Sequence, residues 1–544
     1  VFLDSLGPSD KLVVDTETNR TDYYEERYLL GLAFYHPKMS GYIPVGHKPF
    51  MGEEATNIDI PKYLFRDVKA KLIFHNAKFD YQVMERYGLQ VPRDNCEDTM
   101  IMAHWVDENQ LSYSLEHLTK VLKVTQKETK IAKAMKEYWD SIPPYVMAKY
   151  AIGDCLSTYE LHDKLDPLFE PYRSNWNEVD RDFMFFLASM ETKGILIDVD
   201  RCAELEVLTL ERMQQIEQEL GFDPSKPALL RSKLFDDPPF GYGLKPLSYT
   251  PKTGKPQVNT RFLENTNHPV CGLLLEYSEL KKQLTSYFRP YQKLGHLSGR
   301  LHPSFKQHGT VTGRLSCENP NLQQVPRDSK VKEIFLPEDG HDLVEIDYSN
   351  LEMRLMAVYC KQPALLEIFS KRDGDVHQLT ADLIGIPRYD AKQANFTIGY
   401  GGGWSPLDQY IKKGEKASRA IIDNWHKTYP EVKKVSYQAQ YAAEKNNGTV
   451  KMWTGRERHF RFKSECHKAF NNVIQGGGFE IVKRSCVLLH KVGFDIRNQV
   501  HDSVWINSDN PQDIKEAEAI MEGWALETFE LPFFVESKTL KSRK

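Results

Sequence analysis

Two short β-type runs, far apart in the chain, each end in carboxylates. Leu12-Val13-Val14 leads into Asp15-Thr16-Glu17, and Asp342-Leu-Val-Glu-Ile leads into Asp347-Tyr348-Ser349. A strand turns successive side chains to opposite faces, so Asp15 and Glu17 point the same way. Around these runs the spacing becomes helical, as over Ser114 to Val124, Asp200 to Leu220 and His268 to Leu294. Short strands alternating with long helices confine the chain to an α/β multidomain fold. Its 544 residues suffice for roughly three or four units, each with its own core.

Several function classes fall away at once. The longest apolar stretch, Phe183 to Met190, is far short of the roughly 20 residues needed to span a bilayer, so no membrane association is expected. The start, VFLDSLGPSDKLVVDTE, is charged where a signal peptide needs an apolar run, which points to an intracellular protein. The eight cysteines are scattered with no CxxC pair, as expected of reduced thiols. His459, Cys466 and His467 are close in sequence but lack a fourth ligand, so no metal is expected there. A net charge of −5 excludes a uniformly basic nucleic-acid coat and leaves room for a local basic groove.

The first constellation lies in the N-terminal α/β part. Asp15-x-Glu17 alone is as well explained by a solvated surface. It is joined by His75-Asn-Ala-Lys-Phe79-Asp80, where the strand KLIF gives way to a helix, and by Tyr150-Ala-Ile-Gly-Asp154. Residues i and i+4 share a helix face, so the Tyr150 phenol can hold a water beside the Asp154 carboxylate. Clustered carboxylates repel unless a hard cation joins them, and oxygen ligands suit Mg²⁺ or Mn²⁺. Such a set fits two-metal hydrolysis of a phosphodiester. Asp98, in CEDTM, reads as structural.

The second constellation spans the C-terminal two-thirds. Val500-His501-Asp502-Ser503 sits between two apolar runs in an expected hairpin, and pairing with the 342–347 strand would bring Asp347 and Asp502 together. Two such acids can bridge a pair of divalent ions about 3.5–4 Å apart. Arg388, Lys392, Phe396 and Tyr400 recur every four residues, making one slowly turning stripe of two cations and two rings. The cations suit a triphosphate and the rings a sugar and base. His377 adds a further phosphate donor.

The set D-x-E, N-x3-F-D, Y-x3-D resembles the 3′–5′ proofreading exonuclease domain of family A DNA polymerases. DYSNLEMR, R-x3-K-x3-F-x3-YG and VHDS resemble the family's palm and fingers motifs, and Thr310-Val-Thr-Gly-Arg314-Leu-Ser…Pro-Asn-Leu-Gln its TGRLS…PNLQ block. The resemblance implies a ribonuclease-H-like exonuclease domain (1–170), a connector and helical thumb (171–305), a palm in two parts (306–365 and 441–544) and fingers (366–440). It implies a template-directed DNA polymerase with proofreading, acting on primer-template DNA and dNTPs, with two Mg²⁺ or Mn²⁺ ions in each site. By the same resemblance, Asp15, Glu17, Asp80 and Asp154 are metal ligands in the exonuclease, where Tyr150 positions the nucleophile. Asp347 and Asp502 are metal ligands in the polymerase, and Arg388, Lys392, Phe396, Tyr400, Glu352 and His377 line the dNTP site. Arg314, Asn471, Gln475 and His501 contact DNA. Glu352 is the steric gate against a ribose 2′-hydroxyl, and Phe396 in place of Tyr implies discrimination against dideoxynucleotides.

Three departures from the family pattern stand out. Ser503 replaces the Glu that usually ends the second palm motif, and His467 replaces the Arg usually found four before Asn471. The chain opens almost at the exonuclease, so no 5′-nuclease domain is expected to precede it. A monomer is expected, and the short helical lobe offers no large insertion for an unidentified processivity partner. Two rival readings are a single-subunit RNA polymerase relative, which Glu352 and the intact exonuclease motifs oppose, and a nonenzymatic DNA-binding scaffold, which the retained Asp347 and Asp502 oppose.

Overall fold

The computed structural model describes residues 2–19, 24, 26–49, 57–126, 136–326 and 330–543. The N-terminal unit is a five-stranded mixed sheet of β1 (Lys11–Thr18), β2 (Leu29–His36), β3 (Met39–Pro44), β4 (Lys71–Phe74) and β5 (Cys96–Asp98), in the order β3-β2-β1-β4-β5. β1 is central, antiparallel to β2 and parallel to β4. Its period of two sends Leu12 and Val14 to a core shared with Leu72 and Phe74, and Val13 to a second core on the opposite face. Both faces are covered, which is why the strand reads as a continuous apolar run. Helices α1 (Ala77–Arg86), α2 (Thr99–Val106) and α3 (Leu115–Leu122) follow, and α4 (Pro144–Phe169) lays Met147, Tyr150, Ala151 and Cys155 on the second core.

The apolar stretch Phe183 to Met190 belongs to α5 (Arg181–Lys193). A helix that is apolar all round needs burial on every side, and α5 has it. Met184 and Phe185 enter the N-terminal core, while Phe183, Phe186, Leu187 and Met190 enter the large C-terminal core. Glu191, at the end of α5, is buried and pairs with Lys78 of α1, while Gln82 Nε2 donates to it at 2.7 Å and the Phe305 amide at 2.6 Å.

A separate helical lobe has its own core around Ile216, Phe262, Leu274 and Tyr277. It is built from α6 (Val199–Leu220), α7 (Pro269–Gln283) and two shorter helices between them, Pro227–Phe235 and Thr260–Asn265. The long helical run expected to Leu294 is interrupted by a π-turn at Leu284–Phe288 before helix resumes at Arg289. The Pro/Gly-rich segment after Phe235 is a loop with one isolated bridge, Tyr249 to Pro256.

The C-terminal part carries a four-stranded antiparallel sheet. Its strands are β6 (Asp342–Tyr348), β7 (Ile496–Val500), β8 (Ser503–Ser508) and β9 (Val535–Ser542), in the order β7-β8-β6-β9. Around it stand α8 (Leu351–Cys360), α9 (Val376–Ile384), α10 (Arg388–Gly399), α11 (Pro430–Lys445), α12 (Ala469–Val492) and α13 (Pro511–Phe529). All eight cysteines are buried and free. Among the described residues no helix is long and apolar enough to cross a membrane.

Candidate active sites

The N-terminal acids meet above β1. Oxygens of Asp15, Glu17 and Asp154 lie within 4.8 Å of one another, a compact all-oxygen set of the kind a hard divalent cation takes. Asp80, expected beside them as a further metal ligand, has one carboxylate oxygen engaged by Thr16. It is buried beside Asp15, and its Oδ1 accepts from the Thr16 amide at 2.9 Å and from Thr16 Oγ1 at 2.7 Å. Burial, and next the Asp15 charge, push its carboxyl well above the usual range. Three carboxylates therefore converge, with Asp80 anchored alongside.

Tyr150 sits one turn before Asp154 on α4, its ring edge-on to Trp139 at 5.4 Å. Tyr42 is a neighbour the spacing did not point to. Burial and then the charges of Glu17 and Asp15 keep its phenol protonated, and its hydroxyl bonds His47 Nε2 at 2.8 Å. Gly31 makes room for it, since a Cβ there would lie 2.1 Å from the Tyr42 hydroxyl. Asp98 is structural, as expected. It accepts from the amides of Asn76 (3.0 Å), Ala77 (2.9 Å) and Met100 (2.8 Å), clasping the starts of α1 and α2.

The second set of acids meets at one end of the C-terminal sheet. β6 pairs with β8 so that Asp347 faces Ser503, and the β7–β8 hairpin turns through His501 and Asp502, with His501 at φ +52°. The Tyr348 amide donates to the Asp502 carbonyl at 3.2 Å. Asp347, near the end of β6, and Asp502, in the turn that opens β8, 155 positions apart, are thus brought side by side. Ser503 is buried, its Oγ donating to Val500 O at 3.0 Å and Glu345 at 3.3 Å, so this position braces the hairpin.

Glu352, in the first turn of α8, is buried and ion-paired with Arg314, with the Tyr400 hydroxyl beside it. Burial raises its pKa, and Arg314 opposes the rise. Arg314, expected on DNA, is directed here to Glu352. Gly476 of α12 lets the 310–314 segment pack close, since a Cβ there would lie 2.7 Å from the Thr312 carbonyl. Asn471 and Gln475 lie half-buried one turn apart on α12, just before that glycine, and Asn471 Oδ1 is buried with no protein partner.

On α10 the expected stripe forms. Phe396 and Tyr400 stack at 6.2 Å with planes 18° apart, and Lys392 is exposed. Arg388 is held differently from the expectation: its Nε donates to Asp375 at 2.7 Å. His377 packs on Phe396 at 5.5 Å, and burial pushes its pKa down to about 4. Trp425 Nε1 donates to Asn395 Oδ1 at 2.7 Å, which fixes the amide and leaves Nδ2 to donate to His377 Nδ1 at 3.0 Å. His377 is therefore a neutral imidazole with its proton on Nε2, a hydrogen-bond donor without charge. His459, Cys466 and His467 do not gather around a common point: His459 bonds Glu108, Cys466 is buried, and His467 is exposed.

The sequence profile of DNA polymerase family A matches residues 200–541, and that of a 3′-5′ exonuclease matches residues 2–170. DNA polymerase I of Pseudomonas aeruginosa is 27% identical over 98% of this chain and 64% of its own length, and that of Synechocystis 28% over 90% and 55%. DNA polymerase DpoZ of an Acinetobacter phage is 27% identical over 87% of this chain and 86% of its own length. The chain spans about half the length of several bacterial relatives it matches. The polymerase domain of Pol1 from M. smegmatis, solved in complex with DNA primer-template and dNTP, shares the fold with a TM-score of 0.81 over 98% of this chain and 95% of that one, at 20% identity.

Proposed function

This chain belongs to DNA polymerase family A, and from that premise we propose that it extends a primer 3′ end with dNTPs on a DNA template and trims mismatched ends with its N-terminal unit. The observation that carries the reading is the meeting of Asp347 and Asp502 at one sheet end. The units implied are exonuclease (1–170), connector and thumb (171–305), palm (306–365 and 441–544) and fingers (366–440). Asp347 and Asp502 would hold divalent ions in one site, and Asp15, Glu17 and Asp154, with Asp80 alongside, in the other. When bound, such ions, Mg²⁺ or Mn²⁺ and two per site, activate the attacking oxygen and neutralise charge on the phosphate.

The chain's own residues do the rest. The primer 3′ oxygen attacks the α-phosphorus, the bond to the β-phosphate breaks, and pyrophosphate leaves. Lys392 supplies positive charge to the triphosphate, His377 Nε2 a neutral donor, and Arg388 a second cation once it leaves Asp375. Phe396 and Tyr400 stack against the incoming sugar and base. Glu352, backed by Arg314 and Tyr400, fills the space of a 2′-hydroxyl. Asn471, Gln475 and His501 would face the duplex, where minor-groove acceptors occur on every base pair, and Arg314 would join them only on leaving Glu352. In the exonuclease, Tyr150 orients the attacking water beside Asp154. Closure of α10 on a correct pair would assemble the site.

A primed-template extension assay with Mg²⁺ tests the reading by comparing dNTPs with rNTPs. Extension with dNTPs is expected. Asp347→Asn should abolish extension and spare 3′ trimming, and Asp15→Asn should do the reverse. Loss of both activities in either folded variant would overturn the two-site assignment.

A further inference from the structure

α11 carries a second stripe of cations and rings, unrelated to the one on α10. Lys433, Tyr437, Tyr441 and Lys445 recur every four residues and all are exposed, Tyr437 and Tyr441 each at 63%. Two large rings left in water on one helix are unusual when that helix has a buried side at Val432 and Ala443 to receive apolar groups. Lys445 Nζ lies 5.5 Å from the centre of the Tyr441 ring. Beside the helix runs the segment 461–468, where Phe462 is exposed and Lys463 reaches Glu444 at 3.6 Å.

The same segment borders the insertion site. A Cβ on Gly401, next to Tyr400, would lie 4.0 Å from the His467 carbonyl. The segment 461–468 thus touches the end of α10 through His467 and touches α11 through the Lys463–Glu444 pair, so it links the insertion site to the helix that carries the Tyr441 and Tyr437 rings. The acids along it are Glu431, Glu444 and Glu465, and each is paired with a lysine, Lys434, Lys463 and Lys468 respectively. Lys433 and Lys445 at the two ends carry the positive charge of the stripe in a chain whose net charge is −5.

We propose that this face of α11, with Phe462 and Lys463, binds the unpaired template strand on the 5′ side of the templating position. The inference rests on the polymerase reading for the direction of the strand. Residues four apart rise ~6 Å along a helix, nearly twice the ~3.4 Å spacing of stacked nucleotides, so each ring can take a separate base. Rings that stack on bases with lysines that meet phosphates are the chemistry of sequence-tolerant single-strand binding. The distance from Lys433 to Lys445, ~18 Å, matches about five stacked nucleotides or fewer extended ones.

The test is fluorescence anisotropy at fixed salt, using primer-template duplexes identical except for a 5′ template overhang of one nucleotide or eight. The full chain should bind the long overhang at least tenfold more tightly, roughly the effect of stacking one or two bases. Tyr437→Ala/Tyr441→Ala should lose that gain while its affinity for the one-nucleotide overhang stays unchanged. Tyr437→Phe/Tyr441→Phe, which keeps the rings, should retain the gain. The proposal is overturned if overhang length makes no difference to the unaltered chain, if the gain survives the alanine pair, or if the alanine pair weakens both duplexes alike. Failure of dNTP extension would sink the polymerase reading and leave this binding comparison readable.

Discussion

Lys483 offers the sharpest test of how the two halves of the molecule are held together. Its Nζ lies 2.9 Å from Asp180 Oδ1, in the turn before α5, and 2.7 Å from Glu480 Oε1, on its own helix α12. All three side chains are at most 4% exposed, so one ammonium serves two buried carboxylates. Burial already pushes the Asp180 carboxyl above its usual range, with Lys483 opposing the rise. Lys483→Met keeps the aliphatic stem and removes the charge, leaving two acids face to face. Removing one partner of a buried ion pair costs about 3–5 kcal/mol. For a C-terminal part of roughly 370 residues each kcal/mol moves Tm by about 1–1.5 °C, so a fall of about 3–8 °C is expected at pH 8. The sign of the pH effect follows from linkage. Without the cation nothing opposes the burial that raises the Asp180 carboxyl, so the penalty is absent below that group's ordinary range near 4 and grows as pH rises. Thermal unfolding at pH 5 and pH 8 measures this. The deficit should be clearly smaller at pH 5, and Asp180→Asn/Glu480→Gln added to Lys483→Met should recover most of it. A shift under about 2 °C at pH 8, or an equal deficit at both pH values, would refute the reasoning.

Two further outcomes are expected. Glu352→Ala releases Arg314 and opens the space beside Tyr400, so the preference for dNTPs over rNTPs in kcat/KM should fall by about tenfold or more; unchanged selectivity would remove Glu352 from the gate. His459 bonds Glu108 at 2.9 Å across the contact between the N-terminal and C-terminal units, and that carboxylate raises the His459 pKa above 6.5. Its contribution is complete below about pH 6.5 and fades as pH rises through the raised value. His459→Gln should therefore narrow the difference in Tm between pH 6 and pH 8.5; an unaltered difference would place the pH dependence elsewhere.

Local patterns foretold the secondary structure around both sites, because strand and helix periods are written in short stretches. The β1 strand, the 501–502 hairpin turn and the α10 helix lie where spacing placed them. Long-range side-chain partners were not legible. Nothing near Asp80 announces Thr16 as its anchor, and nothing near Arg388 or Arg314 reveals Asp375 or Glu352 as partners. Tyr42 carried no signal either, since it reaches the acids only because Gly31, on the adjacent strand, lacks a side chain. The π-turn at 284–288 is equally silent, for an extra residue in a helix barely disturbs the apolar spacing. The α11 stripe acquired meaning only from the structure, where its rings proved exposed.

The hydrogen-bonded pairing of β6 with β8 has a mechanical corollary. The gap between Asp347 and Asp502 is set by a ladder of backbone contacts and the turn that closes it, so it behaves like the fixed jaw of a vice: surrounding helices can swing over it without altering its width. Mutations that loosen loops elsewhere should then slow or misdirect delivery of substrates, while those that slip this ladder by even one residue would turn Asp347 to the opposite face and silence the chemistry outright.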